Sequence, residues 1–167
     1  SQVHVGAAIA FPLGQTTLED KLSETRNAIK NGADEIDYVV NLTKLKAGDT
    51  AYIESEMARI TDICREFSVV SKVIFENCYL TEDEKKTLCH IAAKVKPDFI
   101  KTSTGFGTGG ATLEDVALMK KETEGSGVKI KAAGGIRTLK TALEMIDLGV
   151  SRIGSTSSVA IMEEYMS

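Results

Sequence analysis

The stretch FIKTSTGFGTGG, residues 99–110, decides how this 167-residue chain is read. A short apolar run carries a lysine near its end and passes at once into hydroxyls and glycines. In a strand, successive side chains alternate between faces, so Ile100 and Thr102 share one side and Lys101 and Ser103 the other. An ammonium in that position faces either solvent or the interior of a barrel. A second run, VKIKAAGG at 128–135, repeats the pattern with Lys131 followed closely by glycines. Two lysines at strand ends point to amine chemistry, whereas either one alone reads as a solvated lysine leading into a loop.

Composition narrows the setting. With 43% hydrophobic side chains the chain can bury a sizeable core, and one domain over residues 1–167 is expected. A formal charge of -4 offers no general reason to bind nucleic acid or an anionic membrane. Cys64, Cys78 and Cys89 show no paired short spacing, so they read as reduced thiols rather than a disulfide framework or a zinc cluster. No run is apolar and long enough to span a bilayer, and the first residues lack a signal-like segment. The expectation is a soluble cytoplasmic protein.

Outward from residues 99–110, strand-like runs recur at 3–11, 35–41, 71–77, 129–133 and 151–154, each followed by a helical pattern. Residues 3–11 read as a buried strand ending at Pro12 and Gly14. Thr16 with Glu19, and Thr81 with Glu84, fit helix capping boxes. Ile53, Met57, Ile60, Cys64 and Phe67 recur at helical spacing, as do Leu139, Leu143 and Ile146. Lys44, Lys46, Gly48 and Asp49 read as a connection, and residues 159–165 as a last helix. Six strand-then-helix units imply a parallel sheet flanked by helices. Asp37, Glu76, Lys101, Lys131 and the hydroxyls at 155–158 all fall at C-terminal strand ends, spread over five units. A barrel gathers such ends around one mouth, while an open sheet focuses chemistry at one crevice, so the pattern favours a barrel. Six units are two short of eight.

The chemistry follows from the lysines. A nucleophilic lysine must be neutral, and both a neighbouring ammonium and desolvation disfavour its charged form. Lys101 is assigned as the Schiff-base nucleophile and Lys131 as the neighbouring cation, although order alone leaves the two roles interchangeable. Lys129 competes on the same strand face but lies nearer the opposite mouth. Asp37 breaks an apolar run, which marks it as the acid/base candidate, its bland alternative being a structural carboxylate paired with a lysine. Glu76 is given a support role, fixing Lys72, Lys101 or a loop amide. Gly134 and Gly135, with residues 154–158 (GSTSS), supply backbone donors and hydroxyls where barrels commonly hold a phosphate. GFGTGG does not have the spacing of a dinucleotide fingerprint, and GSTSS lacks the lysine of a P-loop. His4 and His90 are too isolated for a metal site.

These segments together resemble one family, the deoxyribose-phosphate aldolases of class I. The resemblance runs through AIAFPLG, NGADEIDYVVN, KVIFENCYLT, DFIKTSTGFGTGGAT, KIKAAGGIRT and SRIGSTSS. It implies a TIM (β/α)8-barrel family fold with about six βα units present and the first two strands missing. It also implies reversible cleavage of 2-deoxy-D-ribose 5-phosphate to acetaldehyde and D-glyceraldehyde 3-phosphate, with no metal or organic cofactor. By similarity, Lys101 is the Schiff-base lysine, Lys131 the second active-site lysine and Asp37 the proton-transfer carboxylate. Thr104, Gly105, Gly134, Gly135, Thr156 and Ser157 are implied to bind the phosphate. Ser158 stands where many relatives have glycine. The implied partners are a phosphorylated deoxy sugar and small aldehydes, and either a homo-oligomer or a completing polypeptide. Two alternatives stand beside this reading: an inactive phosphate-sugar-binding or assembly subunit, and another phosphate-binding barrel lyase or isomerase.

Overall fold

The computed structural model describes residues 3–167. Six strands pair side by side in chain order: β1 (Gly6–Ile9), β2 (Glu35–Val39), β3 (Val70–Ile74), β4 (Phe99–Lys101), β5 (Lys129–Ala133) and β6 (Arg152–Gly154). All five pairings are parallel. The connections carry α1 (Leu18–Lys30), α2 (Leu42–Lys46), α3 (Thr50–Glu66), a 3-10 turn (Asn77–Tyr79), α4 (Glu82–Val95), α5 (Leu113–Glu122) and α6 (Leu139–Asp147), and α7 (Ser158–Met166) follows β6. A doubly wound sheet would reverse its strand order at some point. This one never does.

Side chains give the curvature. In a flat sheet β2 and β6 would stand about 19 Å apart, four strand spacings. Arg152 Nη1 on β6 nevertheless meets Glu35 Oε2 on β2 at 2.5 Å. The sheet is therefore rolled, as in a TIM-type barrel, with Glu35, Asp37, Lys72, Lys101, Lys131 and Arg152 on its concave side. Strand alternation sends Ile9, Ile36, Tyr38, Val73, Ile100 and Ile130 to the other side, where they join one apolar core with Leu22, Met57, Leu88 and Met119 of the helices. One face is ionic and the other dry.

Several local expectations change. Residues 3–11 do not form a long buried strand: Val3 and Val5 are exposed, β1 starts at Gly6, and Ala10 ends it with a positive φ of 50°. A strand bonded to only one neighbour leaves its other edge uncovered. The first helix is capped by Thr17, whose side chain accepts from the Asp20 amide, rather than by Thr16. The connection after β2 contains α2, because Asn41 caps it through the Lys44 amide. Phe67 follows the end of α3 and is exposed, whereas Ile53, Met57, Ile60 and Cys64 are buried as expected. Leu143 and Ile146 lie on the solvent side of α6, whose buried residues are Ala142 and Met145. The Thr81–Glu84 capping box of α4 is present in full.

Candidate active site

Strand register assembles the site. Lys101 on β4 sits directly opposite Lys131 on β5, and Asp37 on β2 directly opposite Lys72 on β3. In a parallel pair, residues in register share a face. Rolling the sheet then brings β2 within reach of β4 and β5. Asp37 Oδ2 accepts from Lys101 Nζ at 2.8 Å and from Lys131 Nζ at 2.7 Å. The two amines are thus no more than about 5.5 Å apart, the two contacts laid end to end. Lys101, Lys131 and Asp37, separated by up to 94 positions in sequence, occupy one point in space.

A third amine completes the cluster. Lys72 Nζ donates to Asp37 Oδ1 at 2.5 Å and lies 2.9 Å from Glu35 Oε2. Glu35 in turn receives Arg152, whose guanidinium stands over the Phe99 ring at 5.0 Å. Four cations therefore share two carboxylates. Burial works to raise the Asp37 carboxyl, but the charges of Lys101, Lys131 and Lys72 outweigh it and hold the group well below the usual carboxylate range. Glu35 likewise resists its burial and is drawn to about 2 by Arg152 and Lys72. The Lys131 amine is pulled below the ordinary lysine range, first by burial and further by Lys101 and Lys72, against the attraction of Asp37. An excess of positive charge in a half-dry site is the condition under which a lysine gives up a proton.

Lys129 stands apart. It pairs with Phe99 rather than Lys101, is exposed, and its amine lies over the Phe99 ring at 5.7 Å. Glu76 meets neither Lys72 nor Lys101. Its backbone adopts a left-handed conformation, φ 55°, which turns the carboxylate towards the loop after β4. There it accepts from the Thr104 amide at 3.1 Å and from the Thr104 hydroxyl. Of the three partners considered for Glu76, the loop amide is the one it has. The same contacts occupy both donors of Thr104, so Gly105, exposed with a φ of 90°, is the freer of the two residues assigned to phosphate in this loop.

The remaining phosphate candidates cluster at the exits of β5 and β6. Gly134 and Gly135 have φ values of 83° and 76°, which favour glycine. Gly110 packs on the first of them so closely that a Cβ there would fall 2.2 Å from the Gly134 carbonyl oxygen. Ser155 Oγ donates to the Ile136 carbonyl at 2.6 Å and accepts from the Ser157 amide at 2.9 Å, tying the two exits together. Ser157 caps α7 without using its own hydroxyl, and Thr156 is exposed. A Cβ on Gly154 would stand 3.0 Å from the Cβ of Ala133, tighter than ordinary contact, so the bare backbone suits the close approach of β5 and β6 at this point.

Sequence reasoning offered Lys72 only as a partner of Glu76 and did not single out Glu35 or Arg152. A signal existed in strand parity. Glu35 lies two residues before Asp37, and Lys72 lies two residues before Ile74, which is in register with Lys101. Both therefore share the site's face.

The family model for "DeoC/LacD family aldolase" matches residues 2–155. A deoxyribose-phosphate aldolase of Lactobacillus acidophilus is 58% identical over 163 residues, covering 98% of this chain and 68% of the relative. One from Bacteroides thetaiotaomicron is 52% identical over 165 residues, covering 99% of this chain and 69% of its own length. Among solved structures, the deoxyribose phosphate aldolase of Aeropyrum pernix, described as tetrameric, superposes with a TM-score of 0.90 at 30% identity. It matches 99% of this chain over 69% of its own. An aldolase designated QR15 superposes with a TM-score of 0.93 at 42% identity, over 99% of this chain and 74% of its own. The rolled parallel sheet and the agreement along almost the whole sequence lead to one conclusion: this chain belongs to the DeoC/LacD family of aldolases.

Proposed function

We propose that this chain catalyses the reversible cleavage of 2-deoxy-D-ribose 5-phosphate to D-glyceraldehyde 3-phosphate and acetaldehyde, with Lys101 as the Schiff-base nucleophile. The observation that carries the reading is the meeting of Lys101 and Lys131 on a single oxygen of Asp37. It is supported by relatives that bear the name deoxyribose-phosphate aldolase at 46–58% identity.

The neutral Lys101 amine attacks the C1 carbonyl, and loss of water from the carbinolamine leaves a protonated imine. That imine is the electron sink. Removal of the proton from the C3 hydroxyl breaks the C2–C3 bond, releases glyceraldehyde 3-phosphate and leaves an enamine on Lys101. Protonation at C2 and hydrolysis then release acetaldehyde and restore the amine. Asp37 holds Lys101 and Lys131 together and serves the proton transfers, with Lys131 as the second active-site lysine. Gly105, Gly134, Gly135, Thr156 and Ser157 receive the phosphate, which supplies binding energy away from the bond that breaks. Glu76 acts through Thr104 by fixing the loop. The unpaired thiols Cys64, Cys78 and Cys89 support a reducing, cytoplasmic setting, and no helix among the described residues is long and apolar enough to cross a membrane.

Borohydride reduction in the presence of acetaldehyde, followed by peptide mass analysis, tests the assignment. A reduced adduct is expected on Lys101 and is lost in Lys101→Leu, which remains folded. An adduct on Lys131 instead would exchange the two roles, and absence of any adduct would end the imine reading.

A further inference from the structure

Lys72 has no part in the chemistry just set out, yet it binds the site more tightly than a bystander would. Its side chain is completely buried on β3, and its amine spans Asp37 Oδ1 at 2.5 Å and Glu35 Oε2 at 2.9 Å. Arg152, from the far side of the rolled sheet, holds Glu35 at 2.5 Å. We propose that Lys72, anchored through Glu35 to Arg152, is a positioning residue for the aldolase site: it occupies Oδ1 of Asp37 so that Oδ2 stays turned towards Lys101 and Lys131. The inference rests on the lysine chemistry proposed above.

Geometry separates this role from catalysis. A fully buried amine beneath Asp37 does not reach a substrate entering at the mouth. Its effect must pass through the carboxylate. Without Lys72, Asp37 can turn both oxygens to the two site amines and stabilise them as ammonium ions. The charge of Lys72 acts in the same sense on Lys131, whose protonation it opposes. The ionisable groups around Lys72 are Glu35 and Asp37 from β2, Lys101 from β4, Lys131 from β5 and Arg152 from β6. On the same face β1 contributes only Gly6 and Ala8, and behind the sheet the Cys64 thiol of α3 feels the Lys72 charge. Removing Lys72 therefore makes the site amines harder to deprotonate, by two routes of one sign.

Two readouts separate positioning from a merely structural role. The first needs no substrate: acetic anhydride labelling of Lys101 and Lys131 against pH, read by peptide mass spectrometry. In Lys72→Met the labelling midpoints should rise by about one pH unit, and Lys72→Arg should hold them near those of the unchanged chain. The second is steady-state cleavage of 2-deoxy-D-ribose 5-phosphate, where Lys72→Met should lower kcat by roughly 10- to 100-fold with KM within about twofold, and Lys72→Arg should recover most of it. Unmoved labelling midpoints in Lys72→Met, or a Lys72→Arg variant that behaves like Lys72→Met, would overturn the proposal. Should circular dichroism show Lys72→Met unfolded, Lys72→Gln, which keeps a polar group between Asp37 and Glu35 but no charge, takes its place: the midpoints should again rise, and no movement refutes the proposal. A failure of the imine reading shows separately, as an unchanged chain that gives no adduct on Lys101.

Discussion

Asp37 carries three ammonium contacts on two oxygens, and its depressed carboxyl makes the site sensitive to acid. A carboxylate whose folded pKa lies below its unfolded value contributes stability above the unfolded value and loses it as pH falls through the folded one. Glu35 moves from 4.5 to about 2, so its contribution is complete above about pH 4.5 and declines towards pH 2. Urea titrations across that window should show stability falling with pH, and Glu35→Gln should flatten the decline. At Gly110 the constraint is steric. A Cβ would strike the Gly134 carbonyl, so Gly110→Ala should destabilise the protein by about 1–3 kcal/mol and raise KM for the phosphorylated substrate. Thermal melts and initial rates check both effects. The residues legible in sequence were those that broke a pattern: a lysine before glycines, an aspartate in an apolar strand. Lys72 was read only as a partner of Glu76, and Glu35 and Arg152 escaped notice, because a charge in an alternating strand usually faces water. Only the rolled sheet turns that face inward.

Among the elements, the start of α4 was legible because its cap is a side chain meeting its own backbone in a full capping box. Thr81 accepts from the Glu84 amide, and Glu84 returns a bond to the Thr81 amide at 2.7 Å. Thr81→Ala should cost about 1 kcal/mol, read as a lowered melting temperature with activity retained. Thr17 displaced Thr16 as the first cap because two adjacent threonines present the same signal one residue apart. Buried ion pairs between elements were illegible. Lys21 on α1 and Glu56 on α3 are wholly buried and 2.7 Å apart, and they also bind the Val39 carbonyl and the Asn41 amide where β2 leaves the sheet. Burial lowers the Lys21 amine and raises the Glu56 carboxyl, each resisted by its partner. Lys21→Met strands Glu56, and a loss of about 3–5 kcal/mol is expected in urea unfolding.

At the scale of the whole molecule, the helix layer ends in an apolar groove of about 670 Å³ between α6 and α7, lined by Leu143, Ile146, Met162 and Tyr165. Surfaces of this kind bind hydrophobic dyes. ANS fluorescence should increase on mixing with the folded protein, and Met162→Glu should reduce the increase without changing the circular dichroism spectrum. The groove also shows why Leu139, Leu143 and Ile146, spaced as a buried stripe, do not all face the sheet: α7 takes part of their surface and the rest stays open. By itself, the order of residues determined the six strand-and-helix units, the parallel sheet, and the lysine pair with its carboxylate. Each of these leaves a local mark in periodicity, punctuation or a broken pattern. Tertiary structure alone decided that Lys72, Glu35 and Arg152 join that pair, and that Glu76 serves a loop amide rather than a lysine. The physical reason is distance along the chain. Glu35 and Arg152 are 117 positions apart, and only the radius of the rolled sheet brings their charges into contact.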